Sequence, residues 1–171
     1  VLGGRGGLGG AVARRLGRDA PLLIGYFSKP DRAHAAVAEI EAGGGRAEAR
    51  QVDLRDPASV EGFLAAAAGK GDGLGGIASM SGAAFPMCAL TDASHEEFRK
   101  VIETEVFGTF NLLKAGVPLL KQAGGGPILL FLTTAVLRTM DYDGMNSVPK
   151  AAMAMMLRHV AREAGRDNIR I

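Results

Sequence analysis

The 171-residue chain is 47% hydrophobic and carries 20 basic against 18 acidic side chains, so it has material for one buried core and is not a disordered chain. Neither sign forms a run and no apolar run approaches the ~20 residues that cross a bilayer, which argues against nucleic acid and membranes as partners. The single cysteine, Cys88, excludes an internal disulfide and a cysteine-rich zinc site, and fits a reducing cytoplasm.

In chain order, Val1-Leu2 reads as the end of a strand, and Leu8, Val12 and Leu16 recur at helical spacing behind Gly3-Gly4-Arg5-Gly6-Gly7. The glycines at 3, 7 and 9 form a G-x-x-x-G-x-G turn between the two. Residues without a Cβ let backbone N–H groups at a helix N-terminus approach a pyrophosphate, where the helix dipole also favours negative charge. A glycine turn alone is a weak signal, and βαβ context must support it. Pro21 to Tyr26 is an apolar run of strand length, as in a parallel strand buried on both faces. A helix is expected from Asp31 to Glu41, a third strand from Arg46 to Val52, and a helix capped by Asp56 and Pro57 with Val60, Phe63, Leu64 and Ala67 on its apolar face.

A short strand from Gly75 to Met80 precedes an irregular stretch through Thr91. Ser94-His95-Glu96-Glu97 is a capping box, from which one long helix is expected to run to Gln122 despite Pro118. Ile128 to Leu132 is the strongest strand and delivers Thr133 and Thr134 to its end. A helix is expected from Pro149 to Ala164 and a last strand from Ile169. Both ends read as cut mid-strand.

Strand and helix therefore alternate throughout. This argues for an α/β fold, a Rossmann-like doubly wound parallel sheet in three α/β/α layers, over a single domain of residues 1–171 that is incomplete at both ends and lacks its C-terminal strands. Such sheets bind ligands outside the carboxyl ends of their strands, near the point where strand order reverses. Gly3 to Gly9, Tyr26 to Lys29, Asp53, Ser79 to Gly82 and Thr133 all fall at those ends.

At these residues the chain resembles the short-chain dehydrogenase/reductase family. Gly3, Gly7 and Gly9, with Arg5 and Leu8 between them, match the family's cofactor loop; Asp53-Leu54 matches its adenine-contacting pair; and the tail Ala161-Arg162-Glu163 through Ile169-Arg170 is similar to the stretch before its sixth strand. The resemblance implies a nicotinamide dinucleotide and hydride transfer. An acidic residue after the second strand would bond a ribose 2′-OH, whereas a 2′-phosphate needs donors and positive charge. The residues here are Tyr26-Phe27-Ser28-Lys29, so NADP(H) is favoured over NAD(H), with Arg5 as a second cation and Asp31 as an opposing charge.

The catalytic positions depart from the family pattern. A tyrosine normally stands four residues before the active-site lysine; Lys150 is present, but Asn146 occupies the tyrosine's place, and an amide does not exchange a proton as a phenol does. Tyr142, eight residues before Lys150, is the nearby candidate acid. The related enoyl-acyl-carrier-protein reductase branch also sets its tyrosine further upstream, at a spacing one residue shorter, but with a different glycine loop. Ser79-Met80-Ser81-Gly82 stands where Asn-Asn-Ala-Gly is usual, so Ser81 and Gly82 are expected against the cofactor, and Thr133 stands where a serine usually holds the substrate oxygen.

Glu105 replaces the family's usual asparagine in the long helix. At about 100° per residue it falls within the arc of Phe98, Val101, Ile102, Thr109, Leu112 and Leu113 and so faces inward. A lone buried carboxylate needs a partner or a raised pKa, and the resemblance to the family, by analogy of position, points to Lys150 as the partner. Such a pair either replaces the usual proton relay or locks a site that no longer turns over. His34, His95 and His159 have no metal-ligand spacing, so no metal is expected. Met153, Met155 and Met156 crowd an apolar last helix; in this family that helix and the long one before it pack against a second subunit, so a homodimer or homotetramer through residues 96–122 and 149–164 is expected. Together these readings imply an NADP(H)-dependent oxidoreductase acting on a carbonyl, alcohol or enoyl small molecule, with a catalytically silent dinucleotide-binding or structural homologue as the alternative.

Overall fold

The computed structural model describes residues 1–3, 7–71 and 73–171. The strands are β1 (Leu22–Tyr26), β2 (Ala47–Gln51), β3 (Ile77–Ser79), β4 (Gly126–Leu130) and β5 (Ile169–Arg170), and every pairing among them is parallel. Leu2 joins β1 to β3 by bridging Gly25 on one side and Ser79 on the other. Its N–H donates to the Ala78 carbonyl at 2.8 Å, while the Gly25 N–H donates to the Val1 carbonyl at 2.7 Å. The order is therefore β2, β1, Val1–Leu2, β3, β4, β5. The chain leaves Leu2 toward β1 and later returns to β3 on its other side, so the reversal of strand order falls at Gly3.

The helices are α1 (Gly7–Leu16), α2 (Pro30–Ala42), α3 (Pro57–Ala68), α4 (His95–Ile102), α5 (Gly108–Gln122) and α6 (Gly144–Ala164). Alternation along β1 shows the three layers. Ile24 points into a cluster with Ala13 of α1 and Ala33, Ala36 and Ile40 of α2, whereas Leu23 points into the larger cluster of Val60, Phe63, Leu64, Leu112, Leu120 and Leu157 from α3, α5 and α6. The expected doubly wound α/β/α arrangement is thus present.

Three expectations need correction. The last helix begins at Gly144 and not at Pro149, which lies inside it and is fully buried; a proline marks a first helical position only when packing does not retain the turn before it. The long helix is divided, because Glu103–Phe107 widen into a π-turn between α4 and α5. The fifth expected strand is shifted two residues toward the N-terminus, and the Thr133 hydroxyl caps a short 3₁₀ turn, Thr134–Val136, by accepting from the Ala135 N–H at 3.3 Å. Elsewhere bounds move by one or two residues. The Ser94–Glu97 capping box forms in both directions, which fixes where α4 starts and so where the π-turn falls.

Candidate functional site

The carboxyl ends of Val1–Leu2, β1, β2 and β3 surround a cavity of about 430 Å³. Of the residues expected at a cofactor, Gly3, Tyr26, Ser28, Asp53, Leu54, Ser81 and Gly82 line it together. Arg5 lies outside the described residues. Lys29 is exposed at the N-terminus of α2 and does not line the cavity; Gly7 and Leu8 are exposed on the first turn of α1, with Gly9 buried behind them.

Gly3 has φ +69°, and a Cβ there would stand 2.7 Å from the Met80 carbonyl carbon and the Ser81 nitrogen. Only glycine permits that turn and that approach. The rings of Tyr26 and His34 stand perpendicular, with centroids 6.0 Å apart, which sets the tyrosine against α2.

Asp53 is engaged from its own loop. Its carboxylate accepts from the Arg55 backbone N–H at 3.0 Å and from the Arg55 guanidinium at Nε (2.9 Å) and Nη2 (2.7 Å), while the Asp53 N–H donates to the Ser59 hydroxyl at 3.0 Å. The hydrogen-bonded guanidinium holds the Asp53 carboxyl below the usual carboxylate range, and Asp53 in turn raises the affinity of Arg55 for its proton. Arg55 also lies over the Phe27 ring, 5.1 Å from its centroid. Arg55, Lys100 and Thr104 line the cavity and were not singled out in the sequence; an i, i+2 pair in a loop has no periodicity to reveal it. Asn111 is another such residue: its amide on α5 donates to the Leu54 carbonyl at 2.9 Å and so anchors the Asp53-Leu54 loop.

The expected Glu105–Lys150 pair is formed. Lys150 Nζ donates to Glu105 Oε2 at 2.7 Å, with the two side chains 10% and 5% exposed. The second carboxylate oxygen accepts from the Ala83 N–H at 3.0 Å. Glu105 thus ties three elements together: the π-turn that carries it, the loop after β3 that floors the cavity, and α6. Gly82 makes room for it, since a Cβ there would stand 3.1 Å from Glu105 Oε1.

Asn146, one turn before Lys150 on α6, donates from its amide to the buried Asp143 carboxylate at 3.2 and 3.4 Å. Tyr142 stands at the preceding turn with φ +62° and is 63% exposed. Neither Tyr142 nor Thr133, Glu105 or Lys150 lines the cavity, so the expected site residues fall into two groups.

A parallel, doubly wound sheet with a glycine turn at its switch point is the architecture of a dinucleotide-binding protein. The family model described as Enoyl-(Acyl carrier protein) reductase matches residues 3–171. A 2,5-dichloro-2,5-cyclohexadiene-1,4-diol dehydrogenase from Sphingobium indicum is 28% identical over 172 aligned residues, covering 100% of this chain and 68% of its own. Among solved structures, a short-chain type dehydrogenase/reductase from Mycobacterium ulcerans superposes with a TM-score of 0.94 at 25% identity, over 99% of this chain and 63% of that one. An alcohol dehydrogenase from Thermococcus sibiricus, complexed with 5-hydroxy-NADP, does so with a TM-score of 0.89 at 27% identity, over 98% and 71%. The chain belongs to the short-chain dehydrogenase/reductase family of oxidoreductases, and it spans about two-thirds of the length of these relatives.

Proposed function

We propose that the chain is an NADP(H)-dependent oxidoreductase acting on a carbonyl, alcohol or enoyl small molecule. The observation that carries this is the Gly3 turn, whose left-handed φ and missing Cβ let the chain turn against the Met80–Ser81 backbone at the point where strand order reverses, the place where such sheets take a dinucleotide. The residues fit such a group: Gly3, Gly7, Leu8 and Gly9 would hold its phosphates, Asp53 and Leu54 its adenine, and Tyr26, Ser28 and Lys29 its ribose end, with Ser81 and Gly82 beneath. The complexed dehydrogenase from Thermococcus sibiricus supports the phosphorylated form. When bound, the nicotinamide supplies or accepts hydride.

The remaining chemistry falls to side chains. Thr133 would position the substrate oxygen, its hydroxyl standing three residues past the end of β4 at the start of the 3₁₀ turn it caps. Lys150 would hold the nicotinamide ribose, with Glu105 fixing where the ammonium sits, since Lys150 gives Glu105 only one of its N–H donors. Tyr142 would deliver the proton, because Asn146 is engaged with Asp143 and has none to give near neutral pH. A second copy of the chain would pack against the groove between α5 and α6, lined by Phe110, Val117, Met155 and His159, where Phe110 and Met155 are about half exposed. A cytoplasmic setting goes with this reading, as Cys88 has no partner in the chain for a disulfide.

The test is a titration with NADPH and NADH followed by nicotinamide fluorescence, then turnover on a panel of carbonyl and enoyl compounds. Tight NADPH, weak NADH and turnover reduced 10²- to 10⁴-fold in Tyr142→Phe are expected, the size of a lost general acid. Binding of neither dinucleotide would overturn the proposal.

A further inference from the structure

The proposed preference for a 2′-phosphate needs a cation at the cavity, and of the residues that suggested NADP(H), the described ones, Ser28 and Lys29, do not supply one there, while Arg5 lies outside the described residues. Ser28 lines the cavity but carries no charge, and Lys29 lies outside it. Among the described residues the cations that do line it are Arg55 and Lys100. Of these, only Arg55 is built into the wall that carries Ser28. Its guanidinium lies over the ring of Phe27, the residue before Ser28, and the Phe27 carbonyl is in turn held by the Gln51 amide at 3.0 Å.

Asp53 determines how that guanidinium is presented. The carboxylate takes Nε and one N–H of Nη2, which fixes the planar fork in one orientation and leaves the other N–H groups, those of Nη1 included, for a ligand. Phe27 closes one face, so the unused donors lie in the guanidinium plane, where an arginine meets phosphate oxygens. A lysine on a flexible stem would be a point charge without that direction.

We propose that Arg55, steadied by Asp53 and Phe27, reads the 2′-phosphate of the dinucleotide and sets the preference for NADP(H), with the Ser28 hydroxyl as second donor. This rests on the NADP(H) reading above and assigns it to a residue outside the expected set. Asp53 offsets part of the local positive charge, so the selectivity is moderate, roughly ten- to a hundredfold, as for one charged hydrogen-bonding partner.

The experiment isolates the phosphate from the rest of the cofactor. Calorimetric titration of the full chain with 2′,5′-ADP and with 5′-AMP compares two ligands that differ only in that group. The wild-type chain is expected to bind 2′,5′-ADP roughly ten- to a hundredfold more tightly; Arg55→Gln should erase the difference while leaving 5′-AMP affinity unchanged, and Arg55→Lys should keep part of it. Arg55 is exposed and its pair with Asp53 is weak, so the variants should melt within a few degrees of the wild type; if Arg55→Gln does not fold, Arg55→Lys alone decides, a loss of selectivity supporting the role and undiminished selectivity overturning it. A wild-type preference that survives both substitutions would overturn the role of Arg55 and leave the NADP(H) reading standing on Ser28 and Lys29. Equal losses for both ligands would show that Arg55 only walls the cavity, which also overturns the role. No wild-type preference for 2′,5′-ADP would overturn both readings.

Discussion

The cavity under Tyr26 and Asp53 and the corner at Lys150 sit along the same edge of the sheet, yet they are held in different ways. The cavity is shaped by backbone: a left-handed glycine at residue 3, the loop of Ser81 and Gly82, and strand ends that stop where they must. Among the described residues its ion pair, Asp53–Arg55, is partly open to water, with side chains 30% and 41% exposed. The Lys150 corner is shaped by two charges shut away from water, with Glu105 joining α6 to the floor of that same cavity. A backbone site tolerates exchange of the side chains around it, whereas a buried pair tolerates loss of neither member. The difference separates substitutions that weaken ligand binding from those that unfold the chain.

The largest effect should come from the buried pair. Glu105→Ala leaves the Lys150 ammonium without its carboxylate in a nearly closed site, and a loss of about 3–5 kcal/mol in unfolding free energy by urea titration is expected. Glu105→Leu combined with Lys150→Met removes both charges and should recover most of that loss. A double variant as unstable as the single would mean that packing, and not charge, makes this corner sensitive. Gly3→Ala comes next: the left-handed φ and the Met80 backbone at 2.7 Å together predict a loss above about 1 kcal/mol, with dinucleotide binding weakened in parallel. Gly82→Ala should cost less, because φ is not left-handed there and only a Glu105 oxygen at 3.1 Å has to yield. If Gly82→Ala also loosens the Lys150 corner, seen as faster amide exchange at Ala83, the strut joining the two regions is confirmed.

How far each region can be read without coordinates follows from the same contrast. Gly3, the strand runs and Asp53-Leu54 point to the cavity, because the ends of parallel strands and a glycine turn at their switch point are set by spacing alone; Gly7 and Gly9 lie on α1 and do not line it. Glu105 was legible as well, since helical periodicity turned it inward and Lys150 was the partner at hand; the structure bears out both. The π-turn was not legible: it adds one residue to a turn without changing which residue types are favoured, and Glu105 stays inward on either reading. Pro149 misled, because a buried proline inside a helix and a proline at its first turn look the same in a sequence. The Asn146–Asp143 contact was hidden too, since it lies in the turn that the proline seemed to exclude from the helix.

The smallest effect, and the one that most directly sharpens the contrast, lies at Asp53. Its carboxyl is held below its ordinary value by Arg55, so the folded chain binds that proton less readily than the unfolded chain does. Stability from this pair is therefore complete above the unfolded carboxyl's ordinary value of 3.8 and is lost as pH falls below it through the folded value. The pair is partly exposed, so Asp53→Asn at neutral pH should cost only about 0.5 kcal/mol, near the limit of a denaturant titration. Binding reads the same change more sensitively, because the variant frees the guanidinium from its bidentate anchor while removing a negative charge beside it. If orientation matters more than charge, Asp53→Asn weakens 2′,5′-ADP relative to 5′-AMP, which shares the adenine, despite the more positive site; if charge matters more, it tightens it. The Arg55 assignment requires the first result, with the loss smaller than that of Arg55→Gln.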